Sequence, residues 1–182
     1  FKGNEMSGIK CVFKETLEDE TQTFNPKDIL GYRFTNEGKF FVSKAINDST
    51  TLFLEYLVDG RRDLFYYSDR GDHYLIEMAD GSLEELKNTT IELIRGVDET
   101  KSLFERKEYV GVLKSNFADS PELNDSIRSS SLTHKSLIKH TTQYHKNVCP
   151  DEVCTSFSRE VPKTNPECGQ ILSYRSTIQS NN

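Results

Sequence analysis

The 182-residue chain lacks tryptophan, contains only two methionines and five prolines, and has no long apolar run. A membrane-spanning helix needs about 20 consecutive apolar residues, whereas the longest apolar runs here have the length of a strand. The sequence therefore predicts no helical membrane span in this chain. Basic residues are also few, since 23 Lys and Arg stand against 29 Asp and Glu, for a net charge of −6. Because phosphate contacts require clustered Lys and Arg, this balance argues against a nucleic-acid partner.

Large aromatic side chains are the main core-forming residues that the chain does contain. Its 11 Phe and 8 Tyr can fill the interior of one folded domain, and a chain of this length does not need disulfides simply to fold. We predict a single domain over residues 1–157. Residues 158–182, rich in Ser, Thr, Pro and Asn, are predicted to form a C-terminal tail or linker. The chain begins at Phe1 instead of Met, which is compatible with a removed leader or a larger parent protein.

The clearest structural signal lies in residues 51–94, where short runs rich in aromatic and branched residues alternate with turn sequences. The turns "DGRR", "DRGD" and "ADGS" each carry Asp and Gly, which favour tight connections. Even spacing of this kind predicts an antiparallel meander. We place its turns at Asp59-Gly60, Gly71 and Gly81. The side chains expected to be buried in it are those of Phe53, Leu57, Leu64 and Leu75.

Two further strand signals precede this region. The stretch "GIKCVFKE" alternates, which predicts a half-buried strand with Ile9, Cys11 and Phe13 on its inner face. Residues 32–46 carry two apolar runs around the turn "TNEGK", which predicts a hairpin. The meander core is therefore expected to span residues 32–94.

The apolar period changes from about residue 107. Tyr109, Leu113 and Phe117 are spaced for one face of a helix, and Ser120 followed by Pro121 is typical of the start of a second, short helix. Residues 133–148 predict a third helix. The expected fold class is α+β, an antiparallel β-meander sheet followed by a short helical C-terminal part, at about residues 107–148, packed on one face.

Several ordered blocks of the sequence carry a resemblance to a known family. The blocks are "NPKDILGYRF", "KFFVSKAI", "FLEYLVDGRRDLFYY", "DHYLIEM", "YVGVLKSNFADSPEL" and "SLIKHTTQYHKNVC". Together, over roughly residues 24–157, they resemble an uncharacterised family of secreted and envelope proteins of Gram-negative bacteria. In that family a domain of this kind follows a secretion signal and often precedes an outer-membrane β-barrel. The resemblance implies an extracytoplasmic location, in the periplasm or at the cell surface, and offers no established activity. The partner expected for an interaction domain in that location is an envelope protein or a glycan.

The stretch "QYHKNVCPDEVC" is the densest cluster of reactive side chains. His145, Cys149 and Cys154 are candidate metal ligands, because two Cys separated by four residues fall within the spacing of structural zinc sites. Pro150 disfavours helical geometry at Cys149, however, and a catalytic redox pair requires only two intervening residues. A disulfide between Cys149 and Cys154 is the preferred interpretation, as a staple at the end of the last helix.

The remaining two cysteines are Cys11 and Cys168. Four cysteines are compatible with two disulfides in an oxidising compartment and equally with four reduced thiols. If Cys149 pairs with Cys154, a bond between Cys11 and Cys168 would anchor the C-terminal segment. The run "QILSY" could then add as an edge strand beside the first strand.

Other motifs carry weaker signals. There is no G-x-S-x-G elbow, H-E-x-x-H pair or phosphate loop, and no cofactor is expected. His73 is expected to have a cross-strand partner. Arg70-Gly71-Asp72 spells a tripeptide that cell-adhesion receptors recognise, although it is also good turn chemistry. The sites that satisfy N-x-S/T, which is relevant only to a eukaryotic secretory pathway, are Asn47, Asn88 and Asn124.

Three functional classes remain. The preferred one is a non-catalytic extracytoplasmic interaction or scaffolding domain that presents a sheet edge or loops to its partner. The alternatives are an enzyme whose site is assembled from residues dispersed in the sequence, and a small structural metal-binding domain. A pocket with converging His and carboxylate groups would favour the enzyme, whereas exposed aromatic side chains would favour the interaction domain.

Overall fold

The structure is a computed structural model that describes residues 8–13, 20–34, 38–95, 100–157 and 170–172, with the side chains of 93–95, 100–102 and 170–172 excepted. Its strands are β1 (Cys11–Phe13), β2 (Gln22–Phe24), β3 (Gly31–Phe34), β4 (Lys39–Ala45), β5 (Thr51–Asp59), β6 (Leu64–Ser68), β7 (Asp72–Glu77), β8 (Leu83–Leu86), β9 (Thr89–Arg95), β10 (Thr100–Arg106), β11 (Thr155–Ser156) and β12 (Gln170–Leu172). Its helices are α1 (Glu108–Asn116), α2 (Asn124–Arg128) and α3 (His134–Val148), and a 3-10 helix at Pro121–Leu123 precedes α2.

The main sheet is a mostly antiparallel meander. Its strand order is β12-β3-β4-β5-β6-β7-β8, so that consecutive strands are neighbours from β3 to β8, and β11 pairs with the end of β5. The helices α1, α2 and α3 follow the meander in the chain. This arrangement confirms the predicted α+β class and the predicted strands of residues 51–86. The four core residues predicted for this meander are all buried: Phe53, Leu57, Leu64 and Leu75.

The chain divides into two compact units. The first consists of Phe1–Tyr56, Tyr66–Asp72 and Phe157–Asn182, and the second of Leu57–Phe65 and His73–Ser156. The single domain over residues 1–157 stays a prediction. The predicted tail at residues 158–182 lies outside the described residues, apart from the three residues of β12.

An aromatic cluster forms the core of the first unit. Tyr32 stacks on Phe41 with ring centroids 4.8 Å apart, and meets Phe53 edge-on at 5.0 Å. The register explains the contact, because antiparallel pairing aligns Tyr32 with Phe41 and places both on one face. The buried Glu55 lies opposite Phe41. Lys39 Nζ lies 3.2 Å from Glu55 Oε2, and this ion pair offsets the cost of burying the carboxylate.

Gly31 marks a close approach between strands in this unit. A Cβ atom at Gly31 would collide with the carbonyl oxygen of Phe41 on β4, so no larger residue fits without separating β3 from β4. On its other side Gly31 pairs with Leu172 of β12. The prediction that "QILSY" adds beside the first strand is therefore wrong, since β12 extends the sheet at β3.

The first strand also differs from its prediction. β1 has only three residues and pairs with β2 in a separate two-stranded sheet. Cys11 is buried as predicted, but Ile9 is 60 % exposed. Ile9 precedes the strand in a turn, so the alternation that places Cys11 inside does not extend to it.

Helices and strand segments share the core of the second unit. Phe117 and Tyr144 stack with centroids 4.2 Å apart, and the Tyr109 hydroxyl donates to the carbonyl of Ser130 at 2.6 Å. These contacts tie α1 to α3 and to the end of α2. The fully buried side chains of this unit include Leu57, Leu64, Ile76, Leu86, Leu113, Ile127 and Leu137.

The helix boundaries follow the sequence signals closely. α1 and α3 lie where the periodicity predicts them, and the short helix after Ser120 begins as 3-10 at Pro121 before it continues as α2. Ser120 lies at the predicted N-cap position but makes no side-chain cap. Its hydroxyl donates instead to Glu122 Oε1 at 2.8 Å.

Candidate interaction surface

His145 is the structural centre of the "QYHKNVCPDEVC" stretch. The residue is 3 % exposed. The backbone N–H of Arg61 donates to Nδ1 of its ring at 2.8 Å, and Nε2 lies 3.0 Å from the carbonyl oxygen of Glu152. Because Nδ1 accepts a hydrogen bond, Nε2 of the neutral ring carries the hydrogen and donates it. The imidazole thus joins the turn after β5 to the loop after α3.

Cys149 and Cys154 are free thiols, so the predicted disulfide between them is absent from the structure. The reason lies in how Cys154 is placed: the next residue, Thr155, pairs with Asp59 of β5. A Cβ atom built at Gly60 would lie 3.3 Å from Cys154 Sγ and 3.1 Å from His145 Nδ1. The thiol therefore packs in the space that Gly60 leaves beside the imidazole.

The structure also gives no metal site at this stretch. Within the described ranges, no group of three or more His, Cys, Asp or Glu side chains is arranged to hold a metal ion. Burial raises the pKa of the Cys154 thiol, which disfavours the thiolate that a metal would need. His145 and Cys154 thus both lie against Gly60, and the backbone N–H of Cys149 donates to the carbonyl of His145 at 2.7 Å.

Cys11 is a free, buried thiol in the first unit. Burial raises its pKa to about 11, so the thiol is protonated at neutral pH and acts as a small core residue. Its predicted partner, Cys168, lies outside the described residues.

The other histidines have separate structural surroundings. His73 Nδ1 lies 2.7 Å from Glu85 Oε1 on the neighbouring strand, which confirms the cross-strand partner. His134 Nδ1 lies 2.9 Å from the hydroxyl of Tyr74. His140 is buried on α3, and burial, with a further contribution from Lys139, lowers its pKa.

The Arg70-Gly71-Asp72 tripeptide lies at the exposed turn between β6 and β7. Its carboxylate is engaged within the first unit, because the Tyr66 hydroxyl donates to Asp72 Oδ1 at 2.7 Å. The tripeptide thus lies in the kind of turn that its residues favour. Of the N-x-S/T sites, Asn47 accepts backbone hydrogen bonds from Ser49 and Thr50 in a local turn.

A separate two-stranded ribbon is an exposed feature of the second unit. It is made of β9 and β10, which pair antiparallel over seven residues from Thr89↔Arg106 to Arg95↔Thr100 and belong to no larger sheet among the described residues. The sequence prediction ended the strands at residue 94 and began the helices at about 107, so β10 was missed. The alternation in "TTIELIR" was a usable signal, since a strand followed by a short polar segment predicts a returning partner.

The base of this ribbon is fixed by hydrogen bonds. The N–H of Tyr109 donates to the carbonyl of Lys87 at 3.0 Å, and Asn88 Nδ2 donates to Glu105 Oε1 at 2.6 Å. The ribbon therefore begins and ends at nearly the same place.

The ribbon exposes apolar side chains on both of its faces. Leu103 is 77 % exposed and Phe104 is 55 % exposed. Because adjacent strand residues point to opposite sides, these two side chains lie on opposite faces. Every described side chain of the ribbon is exposed except Ile91, which is half-buried. No core of the described chain covers either face.

Comparison with known proteins adds nothing to this geometry, because no protein-family model, curated protein or solved structure matches the chain. A search of the described helices finds none with the length and apolar character needed to cross a membrane.

Proposed function

We propose that the chain is a non-catalytic interaction domain of the bacterial cell envelope, and that it binds a partner protein through the β9–β10 ribbon. One observation carries the proposal: Leu103 and Phe104 are exposed on opposite faces of a ribbon that joins no larger sheet in the part of the chain that the structure describes. The envelope location is supported by the resemblance of the sequence blocks to envelope proteins.

Burial of the exposed ribbon against a partner is energetically favourable. An isolated two-stranded ribbon is marginally stable in water, and a third strand or a packed layer makes it stable. Burying a Leu or Phe side chain gains about 1.5–3 kcal/mol, so a partner that covers Leu103 and Phe104 gains about twice that amount before the entropy of association is subtracted. The ribbon therefore has the properties of a binding element.

The chemistry of the ribbon favours a polypeptide partner over a glycan. Each strand has an outer edge of backbone N–H and C=O groups, which match another extended chain. Among the described side chains of the ribbon, the exposed apolar groups are a leucine and a single aromatic ring, which is less than the aromatic platform on which sugars stack.

The histidines support a non-catalytic role. The rings of His73, His134 and His145 bond to groups that belong to the folded framework, namely Glu85, Tyr74, and the backbone of Arg61 and Glu152. Those contacts use the histidines as structural connectors.

Site-specific photocrosslinking tests the proposal. A photoreactive amino acid is placed at Phe104 and, as the matched control, at Val153, which belongs to the same unit and is 87 % exposed. In cells that make the protein, we expect a discrete covalent adduct from position 104 and none from position 153. Equal adducts from both positions, or none from position 104, would show that the ribbon is not a specific binding element.

A further inference from the structure

The outer edge of β10 is the surface at which another strand can join the ribbon. In the part of the chain that the structure describes, β10 has a single neighbouring strand, β9, and its other edge pairs with none over seven residues. The exposed large apolar side chains Leu103 and Phe104 both lie on this strand. An edge of this length is a template for a strand from another chain.

The sequence of β10, "TKSLFER", is complementary to itself when it is reversed. If two copies of the strand run antiparallel about a two-fold axis at Leu103, Lys101 of each copy stands opposite Glu105 of the other. A two-fold axis perpendicular to a sheet keeps each residue on its own face, so the axis passes at a residue and not between two residues. Because Leu103 is the central residue of the strand, an axis at this position pairs all seven residues.

The same register covers the apolar side chains on both faces of the ribbon. Leu103 stands directly opposite Leu103 of the second copy. Phe104 stands opposite Ser102, so the Phe104 residues of the two copies are diagonal neighbours, at a separation that aromatic side chains can span. One arrangement therefore provides a partner for each of the two exposed apolar groups.

The charged residues on one face of β10 select such a strand. Lys101 and Glu105 share this face with Leu103 and have opposite charges, so the face favours a strand that carries the same two charges in reverse order. Asn88 Nδ2 already donates to Glu105 Oε1 at 2.6 Å. A carboxylate has about four acceptor sites on its two oxygens, so Glu105 can also accept from a lysine of the added strand.

We infer that the partner of the ribbon is a second copy of the chain, and that two β10 strands pair antiparallel about Leu103. The inference rests on the proposed function and names the partner. Pairing converts two separate two-stranded ribbons into one sheet of four strands, which is more stable than an isolated ribbon. The contact is limited to one strand from each copy, so we expect a reversible dimer whose population rises with protein concentration.

Two charge-reversed variants of the full chain test the register. Lys101→Glu places glutamate opposite glutamate in a pair of copies, and Glu105→Lys places lysine opposite lysine. Because like charges directly opposite each other destabilise strand pairing, each variant alone should be monomeric at a concentration at which the parent is dimeric. Mixed in equal amounts, the two variants restore both pairs of opposite charges, and we expect them to form a heterodimer.

Sedimentation velocity measures these masses, which are 20.9 kDa for the monomer and twice that value for the dimer. The mixture is its own control for folding, since a variant that failed to fold could not recover the dimer when the other variant is added.

An engineered disulfide tests the position of the axis. Directly opposite residues of antiparallel strands have Cα atoms about 4.5–5.5 Å apart, which is within the range of a disulfide. Leu103→Cys should therefore link two copies when dissolved oxygen takes up the two electrons and two protons of the paired thiols. Phe104→Cys is the matched control, because positions 104 of the two copies are about 8 Å apart in this register. The parent chain gives the background from its own cysteines.

Four outcomes would overturn the inference: a parent that stays monomeric, single variants that stay dimeric, a mixture that forms no heterodimer, or equal linkage from positions 103 and 104. A photocrosslinked adduct from position 104 whose mass differs from twice that of the chain would also overturn it, because the partner is then a different protein. That adduct would leave the proposed function standing. Loss of the adduct itself would remove the proposed function.

Discussion

At the scale of single residues, one buried imidazole joins two segments that are far apart in sequence. His145 accepts a hydrogen bond from the backbone of Arg61, 84 residues away, and faces the carbonyl of Glu152. A buried backbone group that loses its partner costs about 1–3 kcal/mol. The ring therefore contributes to stability through the groups that it satisfies as well as through its packing.

Replacing this ring should measure that contribution. We expect His145→Leu to lower the free energy of unfolding by about 2 kcal/mol, because the N–H of Arg61 and the carbonyl of Glu152 lose their partner. The midpoint of urea unfolding is the measurement. The exposed neighbour Lys146 provides the control, and Lys146→Ala should change stability by less than about 0.5 kcal/mol. Equal midpoints for the two variants would mean that the imidazole is not a structural connector.

At the scale of elements, the two ends of the β9–β10 ribbon are joined by hydrogen bonds. Its entry and exit lie close together, because Tyr109 N–H bonds to the carbonyl of Lys87 at 3.0 Å. Its described side chains bury little surface, so it contributes little to the core of the second unit. The ribbon is therefore expected to be separable from the fold.

Deletion of the ribbon tests this separation. We expect a chain in which residues 89–105 are replaced by a short Gly-Ser linker to keep its helical circular dichroism and to melt within about 4 °C of the parent. Loss of the helical signal would instead show that the ribbon is part of the core and that its exposure does not mark a binding element.

At the scale of the whole molecule, stability should depend on pH through a buried histidine. Burial, with a further contribution from Lys139, holds the pKa of His140 below its usual 6.5. Below that value the unfolded chain takes up a proton that the folded chain disfavours, so the folded state loses stability as the pH falls. A hydrogen bond from the Ser82 side chain lowers the pKa of the Asp80 carboxyl, and a hydrogen bond from its own backbone N–H lowers the pKa of the Glu122 carboxyl. These two groups titrate in a more acidic range.

Urea unfolding at about pH 7.5 and pH 5.5 measures this dependence. We expect the parent chain to be less stable at the lower pH, and we expect His140→Leu to lose part of that difference because Leu cannot take up a proton. An identical pH difference in the two proteins would show that His140 does not carry the effect.

The sequence by itself determined the meander and the helices, because both depend on local signals. Asp-Gly turns at even spacing fixed the strands of residues 51–86, and the spacing of Tyr109, Leu113 and Phe117 fixed α1. It also placed Cys149 and Cys154 at the end of the last helix. The disulfide predicted between them is absent from the structure, because closeness in sequence does not fix how two thiols are placed in the fold.

Only the tertiary structure decided which long-range partners these residues meet. The pairing of β11 with β5 brings Cys154 to Gly60 and His145, and no local pattern encodes a contact between segments about 90 residues apart. The ribbon was missed for a related reason. An alternating run predicts a strand with one buried face, whereas the exposure of Leu103 and Phe104 depends on what the rest of the fold leaves uncovered. Burial is a property of the folded chain. The proposed function rests on the exposure of this ribbon.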